Sequence, residues 1–383
     1  MALPAESSVV IVGGGVVGTS IAFHLAEAGV GGVLLLERGQ LAGGSTSRAA
    51  GGVRAQFSDP LNIQIGARSL RAFADFARRP GWEIGFHQVG YLFLLTRERD
   101  VRSFDAGIEM QNGLGVPSRM LTPAEAAGLN PLIEVGDVLA AAFSPDDGHA
   151  TPEAVVQGYA TAARALGARL ETGCEVLGFE RAGEGTWVIE TAEGAIRAET
   201  VVCAAGPWSA RVGEMAGVGL PVQPLRRQVL HTGPIPGLDA AIPMTIDFET
   251  SFYFHREGPG LLIGMSDPNE QPGFDDRPTD DWIPGLMDIA GRRAPAVAEA
   301  GIAGGWAGLY EVTPDHTAVI GEAPGPARFL YATGFSGHGF LQAPAVGEIV
   351  RDLYLGREPF VDVTPLSAER FSDHQLRPEQ NII

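Results

Sequence analysis

The run Val9–Arg38 limits what this chain can fold into more than any other stretch. It reads Val9-Val10-Ile11-Val12, then Gly13-Gly14-Gly15-Val16-Val17-Gly18, then a mainly apolar stretch Ser20–Leu25, then Val33-Leu34-Leu35-Leu36-Glu37-Arg38. Two short apolar runs on either side of a helical segment predict a buried strand, a glycine turn, a helix and a second buried strand. Gly13, Gly15 and Gly18 fit G-x-G-x-x-G, and Glu37 stands 19 residues after Gly18. Each has a physical job in a dinucleotide site. Gly13 permits the tight turn. Gly15 lets a pyrophosphate approach the helix N-terminus, where free N–H groups and the dipole favour anions. Gly18 lets the helix pack against the strand, and Glu37 can accept hydrogen bonds from ribose hydroxyls. The motif does not choose between NAD and FAD.

The 383 residues, 45% hydrophobic and 19% charged, suffice for two domains with a sizeable core. A net charge of −19 argues against nucleic acid or an anionic membrane as the main partner. No apolar run reaches the length of a membrane span. Met1–Ser8 has no basic n-region, so no signal peptide is read and a cytoplasmic protein is expected. Cys174 and Cys203 sit in apolar, strand-like surroundings and read as buried free thiols, too few for a cluster held by four thiolates. There is no lysine, so all 27 basic residues are arginine and lysine-based Schiff-base or acid–base chemistry is excluded. The histidines show no metal-ligand spacing, and no metal is expected.

Gly43–Phe57 is small, polar and glycine-rich, suited to follow a dinucleotide along its length. Residues 61–79 have helical spacing, Gly90–Leu95 reads as strand, and a polar helix is expected near 98–113. Thr122-Pro123-Ala124-Glu125 and Thr151-Pro152-Glu153-Ala154 read as helix starts. Asp146–His149 reads as a turn. Short strands follow around 168–170 and 175–179, and Thr186–Ala198 forms a hairpin about Glu193-Gly194. Thr200–Cys203 is a buried strand ending at a glycine turn. From 221 to 320, strands alternate as in an antiparallel sheet with one packed face. Phe329–Phe340 is strand, glycine turn and helix start, with the helix running roughly over 343–354. The polar run after Pro365 is expected to be mobile.

Gly13–Glu37, Gly44–Arg54 and Ala307–Gly347 together resemble the D-amino-acid oxidase superfamily of FAD-dependent oxidoreductases, in its sarcosine oxidase and dye-linked proline dehydrogenase β-subunit branch. The resemblance covers nearly the whole chain. It implies an α/β, Rossmann-type FAD domain from segments 1–82, 148–220 and 325–383. A second, α+β substrate domain, 83–147 and 221–324, would carry a large, mainly antiparallel sheet. It implies that Gly44, Ser45 and Thr46 lie along the FAD and that Arg48, Ala49, Ala50, Gly51 and Gly52 lie near the isoalloxazine. It also assigns Arg38, Val176, Ala205, Gly206, Trp208, Gly308, Gly334, Ser336, Gly337, His338, Gly339 and Phe340 to the cofactor. A helix opening near Phe340 would aim its positive end at N1 and the C2 carbonyl, where charge develops on reduction.

Departures from that pattern carry expectations. The monomeric sarcosine oxidases have a lysine for the substrate carboxylate where Leu341 stands, and one for oxygen reactivity where Leu262 stands. Their covalent cysteine corresponds to Gly308. Non-covalent FAD and reduced oxygen reactivity are therefore expected. Tyr310 replaces an arginine of the glycine and D-amino-acid oxidases, which argues against that branch.

A buried carboxylate calls for a bidentate arginine. Arg54 is the leading candidate, matching a substrate-binding arginine of sarcosine oxidases; Arg226 and Arg227 are weaker. Tyr253 and Tyr310 could bond a carboxylate or wall an amine pocket. His338 could tune protonation of the amine, whereas His255 reads as structural. The expected activity is oxidation of the C–N bond of a small amino acid, with a secondary amine of sarcosine or proline type favoured, by hydride transfer to flavin N5. The alternatives are a 2-hydroxy acid or glycerol phosphate as substrate, or an FAD-binding β-subunit or assembly protein that needs a partner. An electron-acceptor subunit or a homo-oligomer would be that partner.

Overall fold

The computed structural model describes residues 3–183 and 185–382. Its first sheet is built on the expected unit: strand Glu6–Val12, helix Val16–Glu27 and strand Val33–Glu37. Strands Val33–Glu37 and Gly194–Cys203 flank Glu6–Val12 in parallel; Arg169–Thr172 and Phe329–Thr333 extend the parallel sheet outward. Such strands are buried on both faces, which explains their unbroken runs of Val, Ile and Leu. Helices Val16–Glu27, Pro152–Ala165, Pro60–Ala74 and Gly339–Tyr354 cover one face. A Cβ on Gly347 would lie 2.3 Å from Ser20 Oγ, so the first and last of these helices touch almost backbone to backbone.

The second sheet runs Ile302–Val312, Gln223–Thr232, Gly260–Gly264, Phe252–Glu257, Met244–Asp247, Tyr91–Leu95, Ala140–Ser144, Arg119–Leu121. Every pairing is antiparallel except Met244–Asp247 with Tyr91–Leu95. Period-2 alternation splits Phe252–Glu257 cleanly. Phe252 and Phe254 join a core with Leu286, Ala290 and Val297, while Tyr253 faces the opposite side.

Several expectations need correction. Gly194–Cys203 is one strand, pairing antiparallel with Trp187–Thr191 and parallel with Glu6–Val12, so the hairpin and the buried strand are continuous. Asp146 ends a turn, but Gly148–His149 pairs with Gly52–Val53 as a small ladder. Val319–Glu322, inside the stretch read as the antiparallel sheet, pairs instead with Phe329–Thr333 of the first sheet. Helices Ile283–Arg293 and Pro295–Ala300 lie inside the stretch read as all strand. The closing helix starts at Gly339 and carries Pro344 within it. The run after Pro365 is anchored: Arg370 makes two bonds, 2.9 and 3.0 Å, to the buried carboxylate of Asp315. Cys174 and Cys203 are buried free thiols, as expected.

Candidate active site

A cleft of about 530 Å³ runs from the Gly13–Val17 turn to the tyrosine-bearing face of the second sheet. Gly13 has φ +116°, and a Cβ there would sit 2.3 Å from the Ala204 carbonyl oxygen, so only glycine fits the turn. The Val16 N–H donates to Thr46 Oγ1 at 3.1 Å, tying the Gly44–Thr46 loop to the helix start. Ser45 Oγ donates to the Leu309 carbonyl at 2.5 Å and so ties the same loop to the second sheet. Glu37 accepts from Gly14 N and Gly39 N, each at 2.7 Å, which fixes its carboxylate on the cleft wall. Over the cleft, Arg38 lies 3.9 Å from the Trp208 ring, Trp208 stacks on Phe274, and Arg48 pairs with Asp276.

Gly13, Gly15, Val16, Val17, Glu37, Arg38, Gly44–Thr46, Arg48–Gly52, Val176, Ala205, Gly206, Trp208, Gly308 and Ser336–Phe340 all line this cleft. Gly18 and Gly334 do not. A Cβ on Gly18 would lie 2.0 Å from the Gly13 oxygen, so its role is packing alone. Gly334 has φ +70° and shapes the turn, donating its N–H to Glu311 at 3.1 Å. The donor set suits FAD: a helix N-terminus and glycine backbone for the pyrophosphate, Glu37 for the ribose, and the start of Gly339–Tyr354 at the far end. At Gly308 an added Cβ would lie 2.7 Å from Arg48 Cβ, so the closely packed strand presents no thiol to the cleft.

At the far end, Arg54 is 2% exposed yet borders the cleft. It donates to the Gln56 carbonyl, to the Asn381 carbonyl at 2.5 Å and to His338 Nε2 at 3.1 Å, and lies 4.2 Å from the Phe57 ring centroid. Among the described residues no carboxylate is within hydrogen-bond distance of it. A guanidinium has no lone pair to offer, so His338 Nε2 is the acceptor and its proton sits on Nδ1. Burial first, then the Arg54 charge, hold His338 well below its usual pKa, so it stays neutral. The sequence reading gave His338 to the substrate amine; the structure sets it against Arg54.

Tyr253 and Tyr310 both border the cleft. Burial raises both phenols above their ordinary value, so they are neutral donors at neutral pH. Arg227 borders it too, with its guanidinium 5.4 Å from the Tyr310 ring and no partner for Nε among the described residues. Arg226 turns away to Glu270 at 2.8 Å. His255 stays outside, with its ring nitrogens against the Arg256 and Ala50 carbonyls. Leu341 lines the cleft; Leu262 does not, and Val229 and Met244 form wall from that sheet.

Sequence reading missed Tyr91, Met244, Glu311 and Asp147. Tyr91 lay in an all-apolar strand, but period 2 from Phe93 would have put it on a single face. Its hydroxyl is so close that a Cβ on Gly52 would lie 1.8 Å away. Glu311 was signalled by an acid inside an apolar strand; burial raises it to about 7, against bonds from Thr333 Oγ1 and the Gly334 N–H. Asp147 is fully buried behind Arg54, accepts from Ala55 N at 3.0 Å, and is raised by burial to about 7.

A glycine-turn cradle facing an antiparallel sheet that presents phenols and arginines is the arrangement of a flavoenzyme. The model of the FAD dependent oxidoreductase family matches residues 8–353, and the chain belongs to that family, with FAD as cofactor. It is 32% identical to mitochondrial dimethylglycine dehydrogenase of Mus musculus over 96% of this chain and 44% of that protein. The chain therefore spans under half the length of that relative. It is 31% identical to glycine oxidase of Geobacillus kaustophilus (strain HTA426), over 94% of this chain and 96% of that one. The solved structure of L-proline dehydrogenase from P. horikoshii superposes with a TM-score of 0.92 at 35% identity, covering 98% of this chain and all of that one. Among the described residues no helix is long and apolar enough to cross a membrane, and no group of side chains could hold a metal ion.

Proposed function

We propose that this chain oxidises the C–N bond of a small amino acid, with secondary amines of the sarcosine or proline kind favoured. The observation that carries the reading is Arg54: a buried guanidinium at the cleft, held by two carbonyls and a neutral imidazole, with no carboxylate partner among the described residues. A buried charge without a counter-ion is costly, and a substrate carboxylate would supply one. The relatives whose names specify amino-acid substrates support the same class.

Bound FAD supplies the hydride acceptor. Arg54 anchors the substrate carboxylate, and Tyr253, Tyr310 and Tyr91 wall the amine and offer neutral donors. Glycines 51, 52 and 337 line the cleft, where a Cβ on each would collide with Ala150, Tyr91 or Tyr310. Orientation of the Cα–H and exclusion of water are what the protein contributes; the imine product hydrolyses in water. No side-chain nucleophile is required. The chain has no lysine to promote reaction with oxygen, so electrons leave to another acceptor, such as a redox-active partner subunit. Gly308, which stands where the covalent cysteine would be, supports non-covalent attachment.

Anaerobic mixing of FAD-loaded protein with sarcosine, dimethylglycine, L-proline, D-proline, hydroxyproline and glycine tests this. At least one should bleach the flavin band. If a broad amine panel bleaches nothing, the reading fails.

A further inference from the structure

Residues 377–381 form a braced strap that reaches Arg54, which borders the cleft. Glu379 is 3% exposed and has no ion-pair partner among the described residues. Its Oε1 accepts from Ser58 N (2.8 Å), Ser58 Oγ (2.6 Å) and Asn381 N (3.0 Å). Its Oε2 accepts from Asp59 N (3.2 Å) and Asn62 Nδ2 (2.9 Å). Gln380 N donates to Ser58 Oγ, and Arg377 reaches Asp59 Oδ2 at 2.6 Å. Upstream, Arg377 N and Glu379 N bond to Asp315, which Arg370 clamps. Asn381 is thereby fixed, and its carbonyl meets Arg54 Nη2 at 2.5 Å.

Ordering polar main chain costs on the order of 1–2 kcal/mol per residue, so a segment this closely bonded is held by specific contacts rather than draped. The contacts converge on Ser58 and Asp59, four and five residues after Arg54, and on Asn62 in the first turn of helix Pro60–Ala74. Arg54 itself has three fixed acceptors, which take both Nη2 hydrogens and one Nη1 hydrogen and set the plane of its guanidinium. The donors left, Nε–H and the second Nη1–H, are aimed by that plane, and so is any charge-assisted bond they make to a carboxylate.

We propose that Glu379 is a positioning residue: it anchors the Asn381 carbonyl and the Ser58–Asp59 entry to helix Pro60–Ala74 so that Arg54 presents its free N–H donors in a fixed direction to the substrate carboxylate. The inference rests on Arg54 being the carboxylate anchor.

The test uses the FAD-loaded full chain and pyrrole-2-carboxylate, an aromatic ring with no Cα–H to give up, read by the change in the flavin spectrum. Glu379→Ala should weaken it about tenfold. Glu379→Gln, isosteric but facing five donors with one oxygen and an amide, should weaken it about threefold. Affinity for the uncharged pyrrole-2-carboxamide and FAD content should stay as in the wild type, and KM for an amino-acid substrate should rise more than kcat falls. The inference is overturned if the Glu379 variants bind the carboxylate as wild type does, or lose carboxylate and carboxamide equally. If Glu379→Ala does not fold, Glu379→Gln decides alone. Arg54→Lys separates the two ideas. If it leaves carboxylate binding intact, the Arg54 reading itself fails. If it weakens binding while the Glu379 variants do not, only the strap inference fails.

Discussion

Gly18→Ala should damage the cofactor cradle without touching the cofactor. The added Cβ would lie 2.0 Å from the Gly13 oxygen, where real contacts essentially never fall below 3.0 Å. About 1 Å must be found. Gly13 cannot retreat, because its own vacant Cβ position is 2.3 Å from the Ala204 oxygen. The first turn of Val16–Glu27 must therefore move off the strand, and its N–H groups move with it. Overpacking of this kind costs about 1–3 kcal/mol. Borne in the bound state alone, that is roughly a five- to 150-fold loss of FAD affinity, at about 1.4 kcal/mol per tenfold. Quenching of flavin fluorescence on titration into stripped protein measures it, with a thermal melt alongside. Gly31→Ala is the control, since a Cβ there meets nothing within 4 Å. A Gly18→Ala protein that binds FAD as tightly as Gly31→Ala would refute the reasoning.

Further expectations follow from other parts of the cleft and its supports. Arg54→Lys keeps the charge but loses the fork; it should raise KM for the amino acid about tenfold or more and leave the affinity of carboxylate-free amines unchanged, which steady-state kinetics on both substrates would read. Arg370→Leu strands the fully buried Asp315 carboxylate and should cost about 3–5 kcal/mol, seen as a lower denaturant midpoint. Burial raises Asp147 to about 7 from 3.8, so the folded protein keeps a proton there that the unfolded chain has lost, and stability falls as pH rises from about 4 to 7. Asp147→Asn should flatten that decline by up to ~4 kcal/mol at the upper end, measured as unfolding free energy against pH. Substrate-reduced flavin should return slowly in air; rapid reoxidation in stopped flow would sink the argument from the missing lysine.

The nucleotide half was legible because one local rule governs it. A strand, three glycines at fixed spacing, a helix and an acid must sit together for the turn to close, and Gly13–Glu37 satisfies all of them. The tyrosine face was partly legible: period 2 put Tyr253 opposite Phe252 and Phe254, but Tyr91 was hidden in a strand with no polar alternation to mark its face. Leu262 was misplaced for the same reason, since Gly260–Gly264 is buried on both sides and offers no pattern. The tail misled most. Glu379 and Asn381 look solvated by composition, and their burial depends on donors more than 300 positions earlier, at Ser58, Asn62 and Arg54. No local pattern records contacts of that range. His338 was placed at the cleft from sequence, but its bond to Arg54 was not legible, because Arg54 arrives from the other end of the chain.

The central claim is that a buried guanidinium reads a carboxylate in front of the flavin. Its most direct test is a pair of titrations on wild-type, FAD-loaded protein, with pyrrole-2-carboxylate and pyrrole-2-carboxamide, followed by the flavin difference spectrum. The two differ by one charge at nearly equal size. The account predicts that the carboxylate binds at least tenfold more tightly and that its advantage disappears in Arg54→Lys. Equal affinities in the wild type would contradict it.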